Sequence, residues 1–305
     1  MNIPSYQELM LPVLRALGDA DGGVQQMELT RRVADGLMLT EEERKLTLPS
    51  GRQTVIHNRT GWAGWYMKQA GLLDNVKRGV WAITQDGRQL LASNPECIDL
   101  KTLAAYPRFE AKMARNKDPD SGVVEPEMAD QNDGQTPTEQ IEEAHQKLNQ
   151  TVATELREQM ARMDPYKFEQ LVIDLLFAMG YGGNRAEAAL VTQKSNDEGI
   201  DGIINEDRLG LNVIYVQAKR WQSTVGRIEV QNFVGALAGK HATKGVFITT
   251  SDFHKNATEY ASSVQHKVVL IGGQRLADLM IEHGVGVSTV RTIALKRVDS
   301  DYFED

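Results

Sequence analysis

Residues 199–219 have the sequence GIDGIINEDRLGLNVIYVQAK, in which two apolar runs flank a short polar segment. This pattern predicts two strands that are joined by a turn near residues 206–210. Antiparallel pairing then places Asp201, at the start of the first strand, opposite the end of the second. Gln217 and Lys219 share one face of the second strand because side chains alternate. The hairpin is therefore expected to bring Asp201, Gln217 and Lys219 together.

These side chains have the chemistry of a metal-dependent phosphodiesterase. Mg²⁺ prefers hard oxygen ligands, which the carboxylate of Asp201 and the side-chain carbonyl of Gln217 supply. The ion would neutralise developing charge and activate water, and the Lys219 ammonium could orient that water or stabilise the phosphate. Glu169 lies at the edge of the apolar stripe of a predicted helix over residues 165–179. It points toward the sheet and is a further candidate ligand.

Each of these residues also has a purely structural interpretation. Asp201, between Ile200 and Gly202, could be a turn residue. Lys219 could be part of a solvated strand end, and Glu169 a surface carboxylate beside the apolar stripe.

The segments around the hairpin alternate in type. Apolar periodicity predicts these elements: a helix over 165–179, strands near 188–193, 200–205 and 211–219, a helix over 228–240, a strand over 244–250, a helix over 254–264, a strand over 267–271 and a helix over 274–283. One helix, three strands and then alternating strands and helices predict a mixed α/β sheet with flanking helices.

The beginning of the chain follows a different pattern. Helices are predicted over 5–17 and 27–38. A short helix is predicted to begin at a capping box formed by Thr40 and Glu43. Another is predicted to run from a cap at Asn58 to Ala70, where Gly71 ends it. A hairpin with a basic tip at residues 75–79 follows. Helices followed by such a hairpin predict a winged helix, a common DNA-binding unit.

Composition indicates two domains that are joined by an acidic segment. A chain of 305 residues with 41% hydrophobic content is long enough for two cores. We predict a DNA-binding domain over 1–95, an acidic and partly flexible linker over 96–144, and a nuclease-like domain over 145–305. The single cysteine fits a reducing cytosol. Neither a signal peptide nor an apolar run of roughly 20 residues is evident, so we expect a cytoplasmic protein that does not bind membranes.

The net charge of −8 argues against nucleic-acid binding only when it is averaged over the chain. Residues 118–143 hold nine acidic and no basic residues, whereas residues 51–92 hold six basic and two acidic ones. Local basic patches decide whether phosphate is bound.

With these motifs in view, the sequence resembles Mrr-type restriction endonucleases over nearly its whole length outside the linker. The second domain carries the resemblance in these motifs: Phe168-Glu169, Tyr181-Gly182-Gly183, Gly199-Ile200-Asp201-Gly202, Gln217-Ala218-Lys219-Arg220, Gly226-Arg227, Phe233-Val234-Gly235-Ala236-Leu237 and Gly245-Val246-Phe247-Ile248-Thr249-Thr250-Ser251. The first domain carries it in these: Asn58-Arg59, Gly61-Trp62-Ala63, Ala70-Gly71-Leu72 and Lys77-Arg78-Gly79-Val80-Trp81.

The resemblance implies a winged-helix DNA-recognition domain joined to a PD-(D/E)xK nuclease fold. It further implies type IV restriction, which is the Mg²⁺-dependent cleavage of double-stranded DNA carrying methylated bases, with Mn²⁺ as a substitute ion. Asp201 would be the metal-binding acid, Lys219 the catalytic lysine and Glu169 the helix-borne acid. Gln217 would stand where most enzymes of this fold have Glu, as is usual in Mrr-type enzymes.

The predicted DNA-binding residues are the basic groups on the recognition helix, on the wing and after the catalytic strand. They are Arg52, Arg59, Lys68, Lys77, Arg78, Arg220 and Arg227. Trp62, Trp65 and Trp81 could stack on an extruded base, or they could pack the core of a small domain.

Two alternatives remain at this level. A nuclease of the same fold could act in DNA repair or on junctions, and a DNA-binding regulator could carry a silent nuclease fold. For an endonuclease, a homodimer or higher homo-oligomer is expected, because one such site cuts one strand.

Overall fold

The computed structural model of the protein describes residues 3–20, 22–115, 134–182, 200–206, 211–296, 298 and 302. The chain divides into two compact units. The first consists of Met1–Gln146 with Leu295–Asp305, and the second of Lys147–Ala294. Each unit has its own buried apolar core.

The first unit packs helices against a small antiparallel sheet. Its elements are α1 (Met10–Gly18), β1 (Val24–Gln25), α2 (Gln26–Gly36), α3 (Glu41–Lys45), α4 (Val55–Ala70), β2 (Leu73–Lys77), β3 (Val80–Ile83), α5 (Gln85–Ala92), α6 (Leu100–Ala104) and α7 (Pro107–Arg115). The strands lie in the order β1-β3-β2. Helices α1, α2 and α4 followed by the β2–β3 hairpin form a winged helix, as the sequence predicts, and α4 is its recognition helix.

Local sequence signals account for two helix ends that the sequence predicts in this unit. Helix α3 begins at a capping box in which the Thr40 hydroxyl accepts from the Glu43 amide and the Glu43 carboxylate accepts from the Thr40 amide. Helix α4 ends at Gly71, whose φ of 84° lies in the left-handed region that favours glycine. Both features are as predicted.

The start of α4 differs from the prediction. The helix begins one turn earlier than the predicted cap, after Thr54, and Asn58 lies inside it. Asn58 is only 4% exposed. Its amide donates to Gln53 and its carbonyl accepts from Thr136, which is distant in sequence. The cap prediction was wrong because this side chain is committed to a tertiary contact, which local capping preference does not detect.

Helices α5, α6 and α7 were not predicted. Ile98, Leu103 and Phe109 are buried in the core that α1, α2 and α4 form. Helices α6 and α7 thus occupy part of the range 96–144 that the sequence predicts as linker, while residues 116–133 lie outside the described part of the chain.

The second unit is built on a four-stranded mixed sheet. Its helices and strands are the end of α8 (Pro137–Arg162), α9 (Pro165–Ala178), β4 (Gly202–Asn205), β5 (Val213–Lys219), α10 (Arg227–Gly239), β6 (Lys244–Thr249), α11 (Lys255–Ser263), β7 (Lys267–Ile271) and α12 (Gly273–His283). In the strand order β4-β5-β6-β7, the first pair is antiparallel and the other two pairs are parallel. This confirms the predicted mixed sheet. The strand predicted near 188–193 lies outside the described residues.

Helices cover the sheet on both faces. Phe168 and Val172 of α9 share a core with Val216 of β5 and with residues of α8 and α12. Phe233 of α10 and Phe247 of β6 belong to a second core with α11. The sheet is therefore the middle layer of three, and its functional residues can be reached only at its edges and strand ends. Within the described residues, no helix combines the length and the apolar character that crossing a bilayer requires.

Candidate functional site

The β4–β5 hairpin places Asp201 beside the end of β5. The Asp201 amide donates to the Val216 carbonyl at 2.9 Å, and the Ala218 amide donates to Asp201 Oδ2 at 2.8 Å. The carboxylate thus takes a position in the ladder that a main-chain carbonyl would otherwise hold. This is the placement that the hairpin register predicts, and it leaves the second carboxylate oxygen available at the strand end.

Gln217 is buried beside Asp201. The residue is 7% exposed, and its Oε1 has no hydrogen-bond partner among the described residues. Leaving a buried carbonyl without a partner costs about 1–3 kcal/mol. An oxygen in that position is suited to a ligand that accepts its lone pair.

Lys219 is partly exposed at the last position of β5. Strand alternation puts it on the face of Gln217, because Val216 and Ala218 point into the core that contains α9. Burial raises the pKa of both Asp201 and Glu169, and the Lys219 ammonium partly offsets that rise, so it lies within electrostatic range of both carboxylates.

The two carboxylates of the site resist ionisation. Burial raises the pKa of Asp201, an effect that the Ala218 amide and Lys219 partly offset. Burial also raises the pKa of Glu169, and the Asp201 charge raises it further. Glu169 on α9 is therefore near enough to sense Asp201, and a cation between them would be stabilised by both charges.

The donor set fits a hard divalent cation. Two carboxylates and one partnerless amide oxygen are the oxygen ligands that such ions take. Within the described ranges, no group of three or more His, Cys, Asp or Glu side chains could hold a metal ion. Among the same residues, the Gln217 amide offers a third oxygen. The structure brings Asp201, Lys219 and Glu169 within electrostatic reach of one another, with Gln217 adjacent in β5.

Three of the predicted DNA-binding residues lie exposed on the first unit. Arg52 precedes the recognition helix, and Lys77 and Arg78 lie at the tip of the wing. These positions suit contacts to phosphate on either side of a groove.

Two other predicted contacts are engaged within the first unit. Arg59 Nε donates to Glu139 at 2.8 Å, and its Nη1 donates to main-chain carbonyls near the N-terminus. The two side chains of this ion pair are 17% and 6% exposed. Lys68 Nζ donates to Asn75 at 2.7 Å and pairs with Asp74 at 3.4 Å, which ties the recognition helix to the wing.

The remaining two basic residues belong to the second unit. Arg220 Nη1 donates to the Ala161 carbonyl at 2.7 Å, while its buried Nε has no partner among the described residues. Arg227 is exposed at the start of α10 and lies over the Tyr260 ring, 5.0 Å from its centroid. Arg227 is thus the more accessible of the two to a phosphate.

The three tryptophans differ in their burial and partners. Trp81 is 9% exposed, packs in the core and donates to Gln26. Trp62 donates to Thr138 at 3.1 Å. Trp65 is 40% exposed and stacks edge-on against Trp62, so it presents the largest exposed aromatic surface of the three.

A polar cluster at the start of α8 was missed by the sequence reasoning. Thr136 and Glu139 form a capping box, and both bond to the recognition helix, to Asn58 and Arg59 respectively. The spacing Thr-x-x-Glu before a helix was the available signal. The acidic composition of the surrounding segment obscured it.

Comparison with known proteins agrees with this architecture. A family model described as a restriction endonuclease, Mrr_cat, matches residues 160–280, and the Mrr N-terminal domain model matches residues 6–93. The type IV methyl-directed restriction enzyme EcoKMrr of Escherichia coli (strain K12) is 40% identical over 309 residues, which cover 100% of both chains.

Among solved structures, the MspJI restriction endonuclease in complex with a 27-mer oligonucleotide matches 52% of this chain and 36% of its own. The identity is 24% and the TM-score 0.33, values too low to support an argument about this site. Matches to both domain models, in order, and a full-length relative at 40% identity show that this chain belongs to the Mrr family of restriction endonucleases.

Proposed function

We propose that the protein is a Mg²⁺-dependent endonuclease that cleaves double-stranded DNA carrying methylated bases. The observation that carries the proposal is the meeting of Asp201, Lys219 and Glu169 beside the partnerless oxygen of Gln217. The methyl-directed activity of the full-length relative supports the substrate class. The winged helix of the first unit supplies the DNA-binding surface.

Each residue has a role that its position supports. Asp201, Glu169 and Gln217 would hold the Mg²⁺ ion. When bound, that ion supplies charge neutralisation at the phosphate and an acidified water. The Lys219 ammonium is placed to orient water at the strand end and to stabilise negative charge on the phosphate as it becomes pentacoordinate. Mn²⁺, which takes the same oxygen ligands, is expected to substitute.

The proposal requires more than one copy of the chain at the DNA. One site cleaves one strand, so duplex cleavage needs two sites presented to opposite strands. We therefore expect a homodimer or higher homo-oligomer on DNA, acting in the cytoplasm. Sedimentation of the protein with and without duplex measures this stoichiometry, and one chain per cleaved duplex would contradict it.

Site variants with matched controls test the active-site assignment. Asp201→Asn and Lys219→Ala should abolish Mg²⁺-dependent cleavage of methylated plasmid and leave DNA affinity unchanged. Asp174→Asn on the exposed side of α9 and Lys255→Ala on exposed α11 remove the same charges away from the site, and they should cleave normally. Cleavage retained by Asp201→Asn would exclude the assigned site.

Parallel substrates test the substrate class. Methylated, unmethylated and branched DNA should be compared under one set of conditions, with Mn²⁺ binding to the full chain measured separately. Cleavage of branched DNA alone would indicate a junction-cleaving enzyme. Failure to bind the metal would indicate a regulator with a silent nuclease fold.

A further inference from the structure

An open groove lies beside the start of the recognition helix, outside the catalytic site. Its volume is about 580 Å³, which is in the size range of ligand-binding pockets. Its walls come from α2 and from the chain that enters α4. The lining residues are Met27, Thr30, Arg52, Gln53, Thr54 and His57. In helix-turn-helix proteins the N-terminal residues of the recognition helix contact base edges, so this groove lies where a base edge is read.

The hydrogen bonds of Thr30 favour one tautomer of His57. The Thr30 hydroxyl lies 2.9 Å from the Gln26 carbonyl, to which it can donate its single proton. With the proton used there, the 3.1 Å contact between Thr30 Oγ1 and His57 Nδ1 is made with Nδ1–H as the donor. In the neutral ring, Nε2 then carries a lone pair and acts as an acceptor. No described residue supplies a hydrogen bond to that nitrogen.

Burial favours the neutral form of this ring. It lowers the pKa of His57 below its ordinary value, because a partly buried site disfavours the charged imidazolium. His57 thus presents an acceptor at neutral pH rather than a positive charge.

Met27 supplies an apolar contact in the same groove. Its side chain is 79% exposed although it is the second residue of a helix whose other large apolar residues, Leu29 and Val33, are buried. A flexible thioether adapts to small apolar groups. The groove therefore combines one hydrogen-bond acceptor with one methyl-sized apolar contact.

We propose that this groove reads the modification, by accepting a hydrogen bond from the exocyclic amine of a methylated base at His57 Nε2 while Met27 contacts the methyl group. This inference rests on the proposed function, because it names the part of the protein that selects methylated DNA. The recognised chemistry is an N–H donor next to a methyl group. In a base pair, 5-methylcytosine presents it in the major groove through N4–H and the C5 methyl, whereas N6-methyladenine has one N–H and uses it in the Watson–Crick pair.

The pairing of acceptor and apolar contact explains how ordinary bases are rejected. Thymine also carries a methyl group in the major groove, but beside the acceptor O4, which cannot donate to His57. Unmodified cytosine has the amine but lacks the methyl group. Guanine presents the acceptors O6 and N7. Only a methylated amino base satisfies both groups.

Arg52 has a different role in the same groove. It is an exposed cation at the entry to α4, and a phosphate contact there would add affinity without sequence information. It therefore serves as an internal control, because its loss should weaken methylated and unmodified DNA equally.

Binding measurements on the full chain test the groove. The Asp201→Asn background prevents cleavage, and fluorescence anisotropy would be recorded for duplexes that carry 5-methylcytosine, N6-methyladenine, thymine or no modification at one position. With its groove unaltered, this protein should favour the 5-methylcytosine duplex over the others by about tenfold. Met27→Gln should lower that preference about fourfold, the value of one buried methyl-sized group. Met38→Gln, also on an exposed methionine next to α2, should not change it.

His57 is tested by substitution and by spectroscopy. His57→Phe should remove the preference and leave affinity for unmodified duplex unchanged. Thr30→Val should reduce the preference, because the tautomer is no longer fixed. Long-range ¹H–¹⁵N NMR of the wild-type histidines should show the Nδ1–H tautomer for His57. This measurement uses the unsubstituted protein, so it does not depend on whether a variant folds.

The outcomes separate the groove from the proposed function. A wild-type protein that binds all duplexes equally would overturn both the methylated substrate and the groove. A wild-type preference that survives in Met27→Gln and His57→Phe would overturn the groove alone. An Nε2–H tautomer for His57 would overturn it as well, because that nitrogen could not accept. A preference for the N6-methyladenine duplex in place of the 5-methylcytosine duplex would overturn it too, because that base offers no free N–H in the major groove.

Discussion

Removing the charge of Glu139 tests whether the start of α8 is held on the recognition helix by a buried ion pair. Glu139 pairs with Arg59 at 2.8 Å, and the side chains are 6% and 17% exposed. Glu139→Gln can keep the capping-box oxygen that accepts from the Thr136 amide, but it removes the charge and replaces the oxygen that accepts from Arg59 Nε with an NH2 group, which can only donate. Arg59 would then remain largely buried without its counter-ion.

The expected loss follows from this burial. Removing one partner of a buried ion pair costs about 3–5 kcal/mol, because the remaining charge is desolvated and unpaired. Typical domain stabilities are about 5–15 kcal/mol, so the loss would be a large part of the stability of the first unit. Arg31→Ala is the control, since the Arg31–Glu28 pair has a similar distance, 2.7 Å, but is 61% and 35% exposed. It should change the stability little, because solvent screens an exposed ion pair.

Urea unfolding of the full chain, followed by tryptophan fluorescence, measures these changes. Trp62, Trp65 and Trp81 of the four tryptophans lie in the first unit, so the signal reports mainly on that unit. Arg59→Met combined with Glu139→Gln should be less destabilising than the sum of the two single changes, because no charge is left buried.

DNA binding by the same variants decides between two roles of Arg59. If the guanidinium is committed to Glu139, Arg59→Met should leave the salt dependence of DNA affinity unchanged. If Arg59 contacts a phosphate, as the sequence alone predicts, the salt slope should fall by about one. A small stability loss together with a lower slope would refute the reasoning from burial.

Three further predictions concern the side-chain oxygen of Gln217, the wing and one glycine. Gln217→Met should raise the free energy of unfolding of the metal-free protein by about 1 kcal/mol, because it removes a buried oxygen that has no partner among the described residues. It should also abolish the rise in Tm that Mg²⁺ produces. An unchanged Mg²⁺ response would exclude Gln217 as a ligand. Lys77→Ala should weaken binding of methylated and unmodified DNA equally and lower the salt slope by about one, as measured by anisotropy between low and moderate salt. Gly87→Ala should lower the free energy of unfolding by about 1–3 kcal/mol, the usual cost of overpacking, because its Cβ would lie 2.2 Å from the Leu72 carbonyl oxygen. The control is Gly36→Ala, whose Cβ meets nothing within 4 Å and which should be neutral or stabilising. Urea unfolding measures both.

Much of the fold follows from local sequence pattern. The capping box at Thr40, the glycine end at Gly71 and the apolar periodicities are local features, and the structure reproduces them within a few residues. The β4–β5 register also follows from the chain, because a short hairpin fixes which residues are opposite each other. For this reason the residue spacing alone is enough to place Asp201 beside the end of β5.

The failures have a common cause, which is distance along the chain. The position of Asn58 inside α4 depends on Thr136, 78 residues away, and the ion pair of Arg59 depends on Glu139, 80 residues away. Composition alone predicted that the acidic segment is a linker, because composition does not show that Glu139 pairs with Arg59. Helices α6 and α7 were missed because their few apolar side chains acquire a core only from α1 and α4.

The sequence by itself determined the family, the two kinds of domain and the meeting of Asp201, Gln217 and Lys219 at one hairpin, since these depend on residues close together in the chain or on motifs in a fixed order. Only the tertiary structure decided which charges are available. Burial and tertiary partners engage Arg59 and Lys68, leave Gln217 Oε1 without a partner among the described residues, and bring Thr30 Oγ1 against His57 Nδ1. The physical reason is that protonation and hydrogen-bond capacity depend on desolvation and on neighbours in space, which residue spacing does not encode.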